Sequence, residues 1–212
     1  MQAPSLSGRR LTGLVKTLIV TAHPDQDSLT LGVARLLQEA LHPGDVELAD
    51  LAAEGFDPRF TMADRDHYRG DGAAPADVTR EQRRLDEADH LVLVFPVYWW
   101  SMPALLKGWI DRVFVNGWAF EIDPTGGTRR TLGRLTVHLL PVAGDALGTY
   151  ERHGYEQALR TQIEHGIVDY CGAQRGAVAF VHESERDDDA ARQAAVEDAV
   201  DRIARAVQGT GR

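Results

Sequence analysis

Two stretches of this chain bring reactive and ligand-binding side chains together. The first is His23-Pro-Asp-Gln-Asp-Ser-Leu-Thr30. An apolar run from Lys16 to Ala22 precedes it, and Leu29, Val33, Leu36, Leu37, Ala40 and Leu41 recur after it at helical spacing, so it bridges a first strand and a first helix. Exposed N–H groups and the helix dipole favour an anion at such a start. Asp27 or Ser28 can cap the helix, and the Ser28 and Thr30 hydroxyls with His23 can complete a phosphate cradle. Simple helix capping would use the same residues. The chain has no Walker loop and no G-x-G-x-x-G, so Asp50, at the end of the second strand, lacks the glycines that a dinucleotide-binding acid accompanies.

The second stretch follows the unbroken apolar run Leu91 to Phe95, which reads as a strand buried on both faces. Pro96, Val97, Tyr98, Trp99 and Trp100 come next, and then a helix with Leu105, Trp109, Ile110, Val113 and Phe114 on one side. The aromatic loop therefore lies at the carboxyl end of a central strand, where open α/β sheets bind their ligands. Three consecutive large aromatics in a loop cannot all point inward. Their faces, beside free backbone N–H and C=O groups, suit a flat, polar-edged ring such as a flavin. The competing reading is ordinary core.

Strands and helices alternate along the chain around these two loops. Val46 to Leu51 gives a second strand, Ala52 to Ala76 a long ordered loop rich in Gly, Asp and Pro, and Val78 to Asp89 a charged helix. Arg134 to Leu140 is a fourth strand and Ala177 to His182 a fifth. Tyr155, Leu159, Ile163 and Ile167 mark a helix between them, and Val196, Val200, Ile203 and Val207 a last one. Such alternation predicts an α/β fold, a doubly wound five-stranded parallel sheet of order 2-1-3-4-5 with helices on both faces. Residues 1–14 read as a flexible tail and 15–208 as one domain.

Composition narrows the partners. A net charge of −9 over 212 residues argues against nucleic acid and anionic membrane surfaces, which need concentrated Lys and Arg. The lone Cys171 excludes an internal disulfide and a thiolate metal cluster. No apolar run approaches the roughly 18 residues of a membrane span. The expectation is a cytoplasmic protein with a small-molecule partner, no metal and no membrane insertion.

Four segments, in order, resemble the flavodoxin-like NAD(P)H:quinone oxidoreductases, the group of DT-diaphorase, the modulator of drug activity B and the potassium-efflux ancillary reductases. They are Ala22 to Thr30, Asp50 to Pro58, Pro96 to Phe114 and Tyr170-Cys-Gly-Ala-Gln174. The resemblance implies a tightly held flavin, FAD with FMN as the alternative, whose phosphates sit on His23, Asp27, Ser28, Leu29 and Thr30. Its ring would lie against Pro96, Val97, Tyr98, Trp99 and Trp100. Val142, Ala143, Gly144 and Asp145 would form the opposite wall, where the family usually reads Thr-Thr-Gly-Gly. Tyr150 and His153 match, at shorter spacing, a family Tyr and His that act at the pyrimidine end of the ring as catalytic donors. Arg192, within the segment His182 to Arg192, would contact an adenine.

The activity implied is two-electron ping-pong transfer from NAD(P)H through flavin N5 to quinones or similar acceptors. A second subunit of a homodimer would close the pocket through Trp118 to Ile122, with Phe120 as the lid aromatic. Alternatives within the same resemblance are a flavin-binding ancillary subunit of a potassium-efflux system and a flavodoxin-type electron carrier.

Overall fold

The computed structural model describes residues 15–42, 44–123 and 125–209, and the tail expected at 1–14 lies outside the described residues. The chain runs β1 (Lys16–Thr21), α1 (Leu29–Ala40), β2 (Asp45–Asp50), α2 (Met62–Arg69), α3 (Ala76–Glu87), β3 (His90–Pro96) and α4 (Ala104–Val113). It continues through β4 (Phe120–Ile122), β5 (Thr128–Arg130), β6 (Thr136–Val142), α5 (Leu147–His153), α6 (Tyr155–Arg160), a π-helix (Thr161–Asp169), β7 (Gln174–Val178) and α7 (Asp189–Gly209). One parallel sheet has the order β2-β1-β3-β6-β7, and β4 and β5 form a separate antiparallel hairpin. Since β6 and β7 are the fourth and fifth strands of the sheet, this is the expected 2-1-3-4-5 winding.

Alternation within β3 builds both layers of the core. Leu91, Leu93 and Phe95 pack with Leu106, Trp109 and Ile163 on one face, while Val92 and Val94 meet Val33, Leu37, Val200 and Ile203 on the other. Each such side chain contributes roughly 1.5–3 kcal/mol on burial. All of β3 is buried, so its carboxyl end is held from both sides.

The stretch expected as a long loop, Ala52 to Ala76, contains α2. Its brackets are a capping box, with Asp64 N–H donating to Thr61 Oγ1 and Thr61 N–H donating back to the Asp64 carboxylate, and Gly70 in the left-handed region at φ 82°. The buried Arg112 on α4 ties this excursion down. It donates to Asp64 at 2.9 Å, to the Asp57 carbonyl at 2.8 Å and to Asp77 at 3.1 Å. Close packing completes the seam, because a Cβ on Gly108 would stand 2.3 Å from the Pro58 carbonyl oxygen.

The fifth strand of the sheet also differs from expectation, occupying Gln174–Val178 rather than Ala177 to His182; Val181 pairs with Val142 only as an isolated bridge. The cause lies at His138. Pairing shifts by one residue opposite it, and the bulged Ala177 N–H donates to His138 Nδ1 at 3.0 Å. Gly176 is required there, since a Cβ would stand 2.4 Å from that ring.

Because His138 Nδ1 accepts, its proton resides on Nε2, which faces His90 Nδ1 at 2.9 Å. Burial, with the neighbouring His90, lowers the His138 pKa from 6.5 to about 4; burial lowers that of His90 as well. The unfolded chain therefore takes up protons first as pH falls. This contribution to stability is complete above about pH 6.5 and is lost toward pH 4. Urea unfolding is expected to give a stability on the order of 2–3 kcal/mol lower at pH 4.5 than at pH 7 from this site, and His138→Gln to flatten that interval. A pH-independent midpoint in the unsubstituted protein would contradict the assignment.

Candidate ligand site at the carboxyl edge of the sheet

After β1 the chain turns through a network of its own. His23 Nδ1 accepts from the Asp25 N–H at 3.0 Å, Asp25 Oδ1 accepts from the Asp27 N–H at 3.0 Å, and Ser28 Oγ caps α1 by accepting from the Leu31 N–H at 3.3 Å. Ser28 is thus the N-cap that the sequence left open between it and Asp27. The Leu29 and Thr30 N–H groups lie in the first turn, ahead of the helix's own bonding pattern. Asp27 is exposed, Ser28 and Leu29 are half-buried and Thr30 is buried. The loop is preorganised, with a helix start directed at the sheet edge.

After β3 the backbone is under strain. Trp99 and Trp100 have φ of 49° and 63°, the left-handed region that costs a residue with a Cβ roughly 1–2 kcal/mol. They are the central pair of a two-residue turn closed by reciprocal hydrogen bonds of 3.1 Å between Tyr98 and Ser101. Turns of that kind ordinarily take Asn-Gly. Trp99 gains nothing from packing in return, being 92% exposed, and Tyr98 is exposed beside it. Strain of this sort persists where surrounding structure holds it, and it clusters at active sites and ligand clamps.

Trp100 turns the other way. Its ring stacks on Tyr155, centroids 3.7 Å apart and 11° from parallel, and Tyr155 in turn stacks on His153 at 5.2 Å. Tyr150 meets Trp100 edge-on at 5.7 Å and also contacts Phe180 and His182. The expected pair Tyr150 and His153 both lie on α5, and both rings meet Tyr155. Tyr150 is only 2% exposed, and burial, with Asp145 nearby, raises its phenol to about 12. His153 is exposed.

The opposite wall is knitted to this one. The Val97 N–H donates to the Val142 carbonyl and the Ala143 N–H to that of Val181, both at 2.8 Å. Gly144 and Asp145 remain exposed. Farther out, Arg192 lines a cleft of about 280 Å³ with Leu147, Phe180, His182 and Arg186. Its guanidinium is engaged by the Arg186 carbonyl and by Asp189. Among the described residues, the buried side-chain polar atoms without a hydrogen-bond partner are Thr21 Oγ1 and His182 Nδ1. Both belong to this edge, one ending β1 and the other lying beyond β7.

The segment Trp118 to Ile122 enters the hairpin. Trp118 Nε1 donates to Asp86 at 3.2 Å, and Phe120, 7% exposed, packs edge-on against Tyr170. Within the isolated chain the expected lid aromatic Phe120 is thus an inward anchor, and Ile122, 50% exposed, is the apolar side chain that the hairpin presents. Tyr155, Ser101 and Gln162 were not expected at the site. Tyr155 reads from sequence only as an apolar helical position, and its neighbour Gly154, left-handed at φ 69°, is the one hint of a turn that redirects it.

An open parallel sheet covered on both faces, with a polar helix start after β1 and a strained aromatic turn after β3, defines a doubly wound protein of flavodoxin type. The family model described as flavodoxin-like fold matches residues 15–205. The ribosyldihydronicotinamide dehydrogenase (quinone) of Mus musculus is 31% identical over 179 residues, covering 74% of this chain and 77% of that protein. A protein of Escherichia coli named as the uncharacterized NAD(P)H oxidoreductase YcaK is 30% identical over 166 residues, covering 77% and 81%. In fold, the chain is similar to the NAD(P)H:quinone oxidoreductase from Methanothermobacter marburgensis, with a TM-score of 0.81 at 23% identity over 91% of this chain and 97% of that one. The chain belongs to the flavodoxin-like NAD(P)H:quinone oxidoreductase family.

The strain predicts a stability effect. Trp99→Asn, which tolerates a left-handed backbone and removes no buried contact, is expected to stabilise the ligand-free protein by about 1 kcal/mol, or 2–4 °C in Tm. A lower Tm, measured by circular dichroism, would show that the exposed indole supports the fold.

Proposed function

We propose that residues 15–208 form the flavin-binding domain of an NAD(P)H:quinone oxidoreductase acting as a cytoplasmic homodimer. The observation that carries this reading is the strained, solvent-facing Trp99–Trp100 turn at the carboxyl end of the central strand. The names of the relatives at 30% identity and above support the class of activity. The residues present fit a flavin on three grounds. A helix start faces the edge where a phosphate would lie, the turn offers backbone groups and an aromatic face, and Thr21 Oγ1 and His182 Nδ1 are buried there without partners. The cleft beside Arg192 favours FAD over FMN, since it supplies room for an adenine.

A flavin held there would supply two-electron, ping-pong redox chemistry between NAD(P)H and a quinone. The protein's part is binding, orientation and charge stabilisation. His23, Asp27, Ser28, Leu29 and Thr30 hold the phosphate end. Pro96, Val97, Tyr98, Trp99 and Trp100 bound the ring on one side, and Val142, Ala143, Gly144 and Asp145 on the other. Tyr150 keeps its proton through the neutral range, because burial lifts its pKa to about 12, and so remains a hydrogen-bond donor. His153, exposed at the end of α5, is the second donor to the developing negative charge. A neighbouring subunit would exclude water through its segment Trp118 to Ile122, which includes Phe120 and leads into the hairpin.

The direct test is to denature the purified protein, weigh the released cofactor and measure quinone-dependent NAD(P)H consumption. FAD in stoichiometric amount and steady turnover are expected. A colourless protein without quinone-dependent oxidation would refute the reading. His153→Ala is expected to lower the rate of NAD(P)H oxidation by about 10²-fold, the usual effect of removing a positioned donor, with flavin content near normal. An unchanged rate in both His153→Ala and Tyr150→Phe would remove these residues from the mechanism.

A further inference from the structure

The left-handed pair after β3 differs in how its two members are supported. Trp99 is 92% exposed, whereas Trp100 is clamped. One jaw is the Tyr155 ring, 3.7 Å away and nearly parallel. The second tether runs from the next residue, whose Ser101 Oγ donates to Gln162 Oε1 at 2.9 Å. Both partners come from the same stretch of chain. Tyr155 opens α6 directly after Gly154, where left-handed backbone at φ 69° turns the helix direction, and Gln162 lies in the π-helix. A π-helix shifts side chains around the axis relative to a regular α-helix, and such segments often mark functional sites.

We propose that Tyr155 is a positioning residue. Its ring, with Gln162 as a second tether, holds Trp100 and hence the turn in the left-handed form, and so sets the affinity of the site for flavin. Tyr155 acts through Trp100 and touches no reacting atom. The inference rests on the flavin reading, which supplies the ligand. The stack also explains how the strained turn persists before any ligand arrives. A preformed turn presents its backbone groups without an ordering cost on binding, and that is what preorganisation contributes to affinity.

The experiment uses the full chain stripped of flavin and titrated with FAD and with FMN, comparing the unsubstituted protein, Tyr155→Phe, Tyr155→Leu and Gln162→Ala. An aromatic stack of this geometry is worth roughly a tenfold change in Kd. Tyr155→Leu is therefore expected to raise the flavin Kd about tenfold or more. Tyr155→Phe, which keeps the stack, should stay within about twofold of the original. Gln162→Ala, at an exposed position, should raise Kd severalfold without lowering Tm, and it decides the question if Tyr155→Leu fails to fold. Near-ultraviolet circular dichroism of the flavin-free proteins should show the Trp–Tyr signal lost in Tyr155→Leu and kept in Tyr155→Phe.

An unchanged Kd in Tyr155→Leu and Gln162→Ala would overturn the proposal and leave Tyr155 as core. Tighter binding in Tyr155→Leu would overturn it too, by showing that the stack competes with the ligand. If the unsubstituted protein binds neither flavin, the functional reading fails and the claim on affinity with it. The dichroism then still decides whether Tyr155 holds the turn.

Discussion

The arrangement depends on a left-handed backbone at two consecutive tryptophans. Trp99 and Trp100 occupy the central positions of a tight turn that glycine or asparagine would fill at less cost. Sequence elsewhere in the chain supplies what such a turn needs. β3 is buried along its whole length and gives the turn a rigid root. Pro103, two residues beyond it, is the N-cap of α4, and Arg112, at the far end of that helix, is bound to Asp64, Asp77 and the Asp57 carbonyl. The approach to the turn and the exit from it are both anchored in the core. The Tyr98 and Trp99 side chains face solvent.

The opposite end of the sheet is organised on a different principle. There the His90–His138 pair is buried between β3 and β6, and β7 bulges so that its Ala177 N–H reaches His138. Side-chain polarity sits deep in the sheet and is satisfied by neighbouring strands. At the carboxyl edge, by contrast, Thr21 Oγ1 and His182 Nδ1 remain buried and without partners. These two atoms lie at the edge where open α/β sheets bind their ligands.

Much of this could be read from residues. The parallel order followed from alternating apolar runs and helical spacings, and the Leu91 to Phe114 run located both the central strand and its loop. Exposure of part of the aromatic triplet followed from sterics, and the structure turns Tyr98 and Trp99 outward and Trp100 inward. What escaped was decided by contacts distant in sequence. The helix inside 52–76 was signalled by Thr61-x-x-Asp64 and Gly70, but its polar composition has no apolar stripe, and it is fixed by Arg112 from another helix. The displacement of the fifth strand needed a buried histidine facing Gly176, which no periodicity shows. Tyr155 and Gln162 reach the turn from α6 and the π-helix, past a left-handed Gly154, by contacts that no periodicity shows.

In the proposed function the helix start after β1 and the turn after β3 are two parts of one flavin site. Amide hydrogen exchange of the flavin-free and flavin-loaded protein, resolved to short peptides, tests it directly. Flavin is expected to slow exchange in both His23–Thr30 and Val97–Ser101, with little change around the buried His90 and His138. Protection confined to one of the two segments, or appearing only elsewhere, would contradict it.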